Sequence, residues 1–322
     1  MGKIHMKIWK RTADFGGVVK QMDLFAGLVS KSMAIRPRVQ HEVRLPSFFI
    51  VGPPRTGTSW LHEVIGKRAL LPSPAKETRF FDNHFDRGFA WYQSHFPKGR
   101  SGRRMGEVAP TYFASAAARQ RISQYLPGAK VVCVFRNPVE RLVSLYRLKR
   151  AYGMIPWNFE QALSHDPELL ESSRYVSNLK AWQQELGAEQ VLPMVYDDLR
   201  SQPQNFLDVV ADFVGIPRLL LSENQIRYIH SSELLTHPRD FRRTRQATLM
   251  ADWFKARQLD SFVSAVKRTP LVRLVLGGGA AFTELPPETK QVLYQRFLPE
   301  VEKLEELLNR DLSGWKGTQL AS

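Results

Sequence analysis

Ser47-Phe48-Phe49-Ile50-Val51-Gly52-Pro53-Pro54-Arg55-Thr56-Gly57-Thr58-Ser59-Trp60-Leu61 is the stretch whose reading decides the fold. Residues 48–51 are an unbroken apolar run, the pattern of a parallel strand buried on both faces. Gly52 ends that run, and Gly57 with the hydroxyl of Ser59 gives a near match to the Walker A pattern G-x-x-x-x-G-K-[ST]. Trp60, Leu61, Val64 and Ile65 follow at helical spacing, so an amphipathic helix is expected directly after the loop. A strand, a glycine turn and a helix N-terminus together aim backbone N–H groups and a positive dipole end at an anion. One departure matters. The Walker lysine position is Thr58, and the loop's cation is Arg55. Nucleoside triphosphate chemistry needs that lysine on the β/γ-phosphates. The loop is therefore expected to hold a phosphate without being built for triphosphate hydrolysis.

A second stretch repeats the arrangement further along. Residues 131–135 are apolar and largely β-branched, the signature of another buried strand. Arg136 ends it; Asn137 is a good N-cap, Pro138 fits the first helical position and Glu140 the third. Ser144 lies two turns into the helix so specified. Arg136 offers a bidentate, charge-assisted fork and Ser144 a hydroxyl donor, which is anion-binding chemistry again. Arg141 reads as a structural or surface partner.

The segment Gly52-Pro53-Pro54-Arg55-Thr56-Gly57-Thr58-Ser59 resembles the 5′-phosphosulfate loop of sulfotransferases that use 3′-phosphoadenosine 5′-phosphosulfate (PAPS). It is closest in form to the heparan sulfate sulfotransferases and bacterial sulfotransferases. The Arg136-x7-Ser144 spacing is similar to the pair with which that family holds the 3′-phosphate. Lys76-Glu77-Thr78-Arg79-Phe80-Phe81 resembles the family's Glu-x-x-Phe-Phe segment, which carries the proposed catalytic base onto Glu77; a surface glutamate paired with Lys76 or Arg79 is the plainer reading. Residues 105–113 resemble the family's Glu-Lys-Thr-Pro-x-Tyr-Phe segment through Glu107, Pro110, Tyr112 and Phe113, with Val108 where the family has lysine. The resemblance implies an α/β fold: a P-loop-like three-layer domain with a central parallel β-sheet flanked by helices. It implies in-line transfer of a sulfuryl group from PAPS, without a metal, to an acceptor hydroxyl or, less expected, an amine. Arg55 and Glu77 would then be catalytic, and Arg55, Thr56, Gly57, Thr58, Ser59, Trp60, Arg136 and Ser144 would hold the donor.

Three regions are expected: a basic amphipathic arm over residues 1–45, the catalytic domain over 46–315 and a tail over 316–322. The formal net charge of +15 on 322 residues calls for an anionic partner: a nucleotide, an acidic glycan or lipid-linked acceptor, a membrane surface or a nucleic acid. No nucleic-acid module stands out, so nucleic acid is not expected as a partner. No apolar run of about 18 residues is present to span a bilayer, and no secretory signal is seen. The expectation is a cytoplasmic protein. Its arm either docks as a helix on the domain or contacts the inner membrane surface. Residues 236–250, with Arg239, Arg242, Arg243 and Arg245, read as a basic loop that is either solvated or a clamp over ligand. Two other functions stay open on the residues: a P-loop small-molecule or nucleotide kinase, and a non-catalytic membrane- or glycan-binding protein.

Overall fold

The computed structural model describes residues 44–97, 102–231, 235–256, 259, 262–263, 266 and 278–317. The arm of residues 1–45 and the Gly-rich stretch of 271–282 fall largely outside these, as do residues 318–322.

Strands β1 (Phe48–Ile50), β2 (Gly106–Val108), β3 (Lys130–Phe135) and β4 (Val191–Val195) form one parallel sheet in the order β2-β1-β3-β4. Phe48 lies in register with both Gly106 and Lys130, so β1 occupies the middle of the sheet with β3. Side chains alternate between faces. Phe49, Val51, Val131, Cys133 and Phe135 enter one apolar cluster; Phe48, Ile50, Val132 and Val134 enter another. Both faces are covered, which is why these strands read as continuous apolar runs. Helix α1 (Thr58–Ile65) packs Trp60, Leu61, Val64 and Ile65 on the second face. The first face carries an aromatic layer of Phe80, Phe81, Tyr92, Tyr112 and Trp182, all fully buried. Each such ring contributes about 1.5–3 kcal/mol by leaving water, so this face is strongly held.

Helix α2 (Pro138–Ala151) follows β3 as expected, and Asn137 Oδ1 caps it by accepting from the Val139 and Glu140 N–H groups at 3.0 and 3.3 Å. Arg141 is fully buried inside this helix and donates to Ser173 Oγ and to the Leu169 carbonyl, a structural role. Helix α3 (Tyr196–Ser201) follows β4, and Asp197 and Asp198 in its first turn suit the positive dipole end. One expectation is corrected. The basic loop of 236–250 is in large part helix α4 (Phe241–Ala256); Asp240 Oδ1 starts it by accepting from the Arg242 and Arg243 N–H groups. On the last helix, α5 (Pro287–Leu308), Leu293, Phe297, Val301 and Leu304 form the buried stripe, whereas Val292 turns to solvent at 68% exposure. One residue before the stripe is about 100° around the helix, which is enough to expose it.

Candidate active site

The loop after β1 is shaped by close backbone approaches. A Cβ at Gly52 would lie 2.6 Å from the Val134 nitrogen, so only glycine lets the chain leave β1 beneath β3. Arg55 and Gly57 take positive φ values of 77° and 86°, and Gly57 opens α1 without a side-chain cap. The N–H groups of the first turn are left facing the loop. Thr56 is fully buried and donates to the Pro53 carbonyl at 2.9 Å, so its hydroxyl closes the loop from within. Gly57, Thr58, Ser59 and Trp60 line a cleft of about 70 Å³ together with Arg55, Arg136 and Tyr196.

Arg55 and Arg136 also border a wider cleft of about 320 Å³, whose other walls include Glu140, Ser144, Arg147, Arg200, Glu284 and Lys290. The two signatures therefore meet in space. Arg55 Nε donates to Ser144 Oγ at 2.9 Å, across 89 positions of sequence. Arg136, 12% exposed, points both Nε and Nη2 at Glu140 Oε2, at 3.1 and 3.0 Å, and lies 4.8 Å from the Tyr196 ring centre. Glu140 thus pairs with the arginine one turn back instead of closing a capping box. None of Arg239, Arg242, Arg243 and Arg245 lines either cleft.

The segment carrying Glu77 approaches the loop from the β2 side. Glu77 does not line the two clefts; its Oε1 stands 3.5 Å from Lys76 Nζ, and Lys76 Nζ donates to Ser59 Oγ at 3.1 Å. Burial pushes the Glu77 carboxyl above its ordinary value, with Lys76 pulling the other way. Burial, and then Lys76, hold His62 down at about 4, so that imidazole is neutral. Beneath, Glu107 is fully buried. It accepts from the Thr78 N–H and hydroxyl at 2.7 Å each, and from Tyr92 and Tyr112 at 2.7 and 3.3 Å. Burial nonetheless raises its carboxyl to about 7. Glu107 ties down the residue next to Glu77. Val108 is fully buried, so β2 presents no cation at that point.

Sequence reasoning placed Arg55, Arg136 and Ser144 together, and the structure has them at one cleft. It missed Lys76 as a loop contact, because nothing in a lone lysine shows that seventeen residues of chain return to the loop. It also missed Tyr196. Among the described residues, no three His, Cys, Asp or Glu side chains gather as metal ligands would. No described helix is long and apolar enough to cross a membrane.

A parallel sheet with a glycine loop after its central strand β1, and an arginine at the end of the neighbouring strand β3, defines a P-loop-like α/β domain. The family is a narrower matter. Residues 45–264 match the family model described as sulfotransferase domain, and the chain belongs to that family. It is 30% identical over 208 residues to the bifunctional heparan sulfate N-deacetylase/N-sulfotransferase 2 of Bos taurus, covering 58% of this chain and 24% of that protein. The type 1 protein of Xenopus laevis is 28% identical over 196 residues, 54% of this chain and 22% of that protein. The chain spans about a quarter of the length of these relatives. The sulfotransferase from Alicyclobacillus acidocaldarius shares the fold, with a TM-score of 0.61 at 21% identity over 85% of this chain and 99% of that one.

Proposed function

We propose that the chain transfers a sulfuryl group from PAPS to an acceptor hydroxyl by in-line displacement. The observation that carries this reading is the Arg55–Ser144 contact, which brings a 5′-type anion loop and a 3′-type Arg/Ser pair to one cleft. A nucleotide with phosphates at both ends fits such a site, because cations outnumber carboxylates along its walls. PAPS supplies an activated sulfuryl group there. The loop N–H groups, with Gly57, Thr58, Ser59 and Trp60, hold the 5′-phosphate, and Thr56 keeps the loop in shape. Arg136 and Ser144 take the 3′-phosphate. As the acceptor oxygen bonds to sulfur and the sulfur–oxygen bond to phosphate breaks, Arg55 neutralises the charge left on the departing oxygen. Glu77 accepts the acceptor's proton; its raised pKa makes it a better base than an exposed carboxylate. The products are a sulfate ester and adenosine 3′,5′-bisphosphate.

The relatives' names include heparan sulfate and N-sulfotransfer, so polysaccharide hydroxyls and amines are the first acceptors to try. The basic charge of the chain favours an acidic or lipid-linked acceptor, with the arm of residues 1–45 as a membrane contact. Calorimetric titration tests the donor. Metal-independent binding of adenosine 3′,5′-bisphosphate, with weak binding of ATP and Mg²⁺, is the expected result. Tighter binding of ATP with Mg²⁺ would turn the reading to a kinase.

A further inference from the structure

We propose that Lys76 is a second cation of the donor site, binding the 5′-phosphosulfate end of the nucleotide opposite Arg55; this rests on the PAPS reading above. The geometry is that of a side chain delivered to the loop from outside it. Lys76 Nζ sits 3.1 Å from the hydroxyl of Ser59, which lies in the first turn of α1, where the helix presents its positive end. An ammonium has three N–H donors. Ser59 Oγ takes one and Glu77, at 3.5 Å, faces another. The remaining donor direction suits an oxygen of an anion seated on the loop.

Charge balance points the same way. Lys76 is 30% exposed; burial disfavours its ammonium most, Glu77 favours it, and the nearby Arg55 guanidinium disfavours it more weakly. Lys76, with Glu77 in contact, thus sits at a half-buried spot beside a helix N-terminus and within the field of Arg55. His62 adds no charge of either sign, because it is neutral. A half-buried ammonium at a helix N-terminus is stabilised further when an anion arrives. A purely structural lysine would be better served by pairing with its neighbour alone. Here the same ammonium bridges that neighbour to Ser59 Oγ in the first turn of α1. Arg55 reaches the loop's anion from the Ser144 side, and Lys76 reaches it from the Glu77 side. The 5′ end is gripped from two directions by residues of different segments. A second consequence concerns Glu77. When the ammonium turns to the anion, the carboxylate loses its partner and is left to take the acceptor's proton.

The test uses two nucleotides that differ only at the 5′ end. Adenosine 3′,5′-bisphosphate and adenosine 3′-monophosphate are titrated calorimetrically into wild type, Lys76→Met and Lys76→Arg. The expected result is a loss of bisphosphate affinity of about 10- to 100-fold in Lys76→Met, the scale of a charged hydrogen bond. Affinity for the 3′-monophosphate stays unchanged, and Lys76→Arg restores most of the bisphosphate affinity. Equal losses for both nucleotides would mean that Lys76 only shapes the site, and no loss for the bisphosphate would mean that it does not touch the donor; either overturns the proposal alone. Wild-type protein that binds neither nucleotide would overturn the PAPS reading and this proposal with it.

Discussion

Two corners of the site hold their charged groups by different means. At the β3–α2 corner the wiring is local: Asn137 caps the helix it begins, and Arg136 is forked by Glu140 one turn later. On the β2 side it is not. Lys76 finds its hydroxyl 17 positions back at Ser59, and Thr78 finds its acceptor 29 positions ahead at Glu107. The cap and the ion pair of the first corner are made by residues within four positions of one another, although Arg136 also lies over the distant ring of Tyr196. The second exists only once β1 and β2 pair, and it hangs on one buried carboxyl group. The ion pair at Arg136 is thus set largely by its own helix, whereas the segment with Glu77 is positioned by the fold as a whole.

The largest effect should come from the β2 side. Glu77→Gln is expected to lower kcat by about 10²- to 10⁴-fold, the share of a general base, while adenosine 3′,5′-bisphosphate binds no more weakly. If binding fell as steeply as turnover, Glu77 would be a support for Lys76 and not a base.

Next comes the carboxyl that anchors this segment. Glu107 keeps its proton up to about pH 7 in the folded protein, against an ordinary value of 4.5. Between those values the unfolded chain has lost the proton and the folded one has not. Stability therefore falls as pH rises through the window and levels off above it, by up to roughly 3 kcal/mol in all. Urea denaturation at several pH values should show this slope in wild type and its absence in Glu107→Gln. Parallel curves for the two proteins would place the pH dependence elsewhere.

The smallest effects belong to the local corner. Arg136→Ala should weaken bisphosphate binding by about 1.5–3 kcal/mol, since a charged hydrogen-bond pair is lost. Glu140→Gln should tighten it, by at most about 1 kcal/mol, because the partner released is a half-exposed ion pair. Titration of both variants against wild type measures the pair. A weaker Glu140→Gln would show that the glutamate orients Arg136 for the phosphate instead of competing with it.

This contrast also explains what could be read from the chain. Apolar runs flanked by Gly52 and by Arg136-Asn137-Pro138 specify two parallel strands and their helices, because the period of side chains and the chemistry of caps are local facts. The meeting of Arg55 with Ser144 was legible through resemblance, not through spacing. Lys76, Tyr196 and the burial of Glu107 were not legible, since each depends on which segments the sheet brings side by side. The form of the arginine run at 239–245 was hidden for a related reason. Charge density alone left a solvated loop and a clamp over ligand both open, while Asp240 makes much of it the start of a helix, with exposed arginines that line neither cleft.

Cys133 is the chain's single cysteine, fully buried in the middle of β3, and burial pushes its thiol well above the ordinary range. A thiol-specific reagent can reach it only when the sheet itself comes apart. The molecule therefore carries its own clock for opening of the central layer. The rate of labelling with and without adenosine 3′,5′-bisphosphate reads how far a ligand at the strand ends slows the parting of the strands behind it.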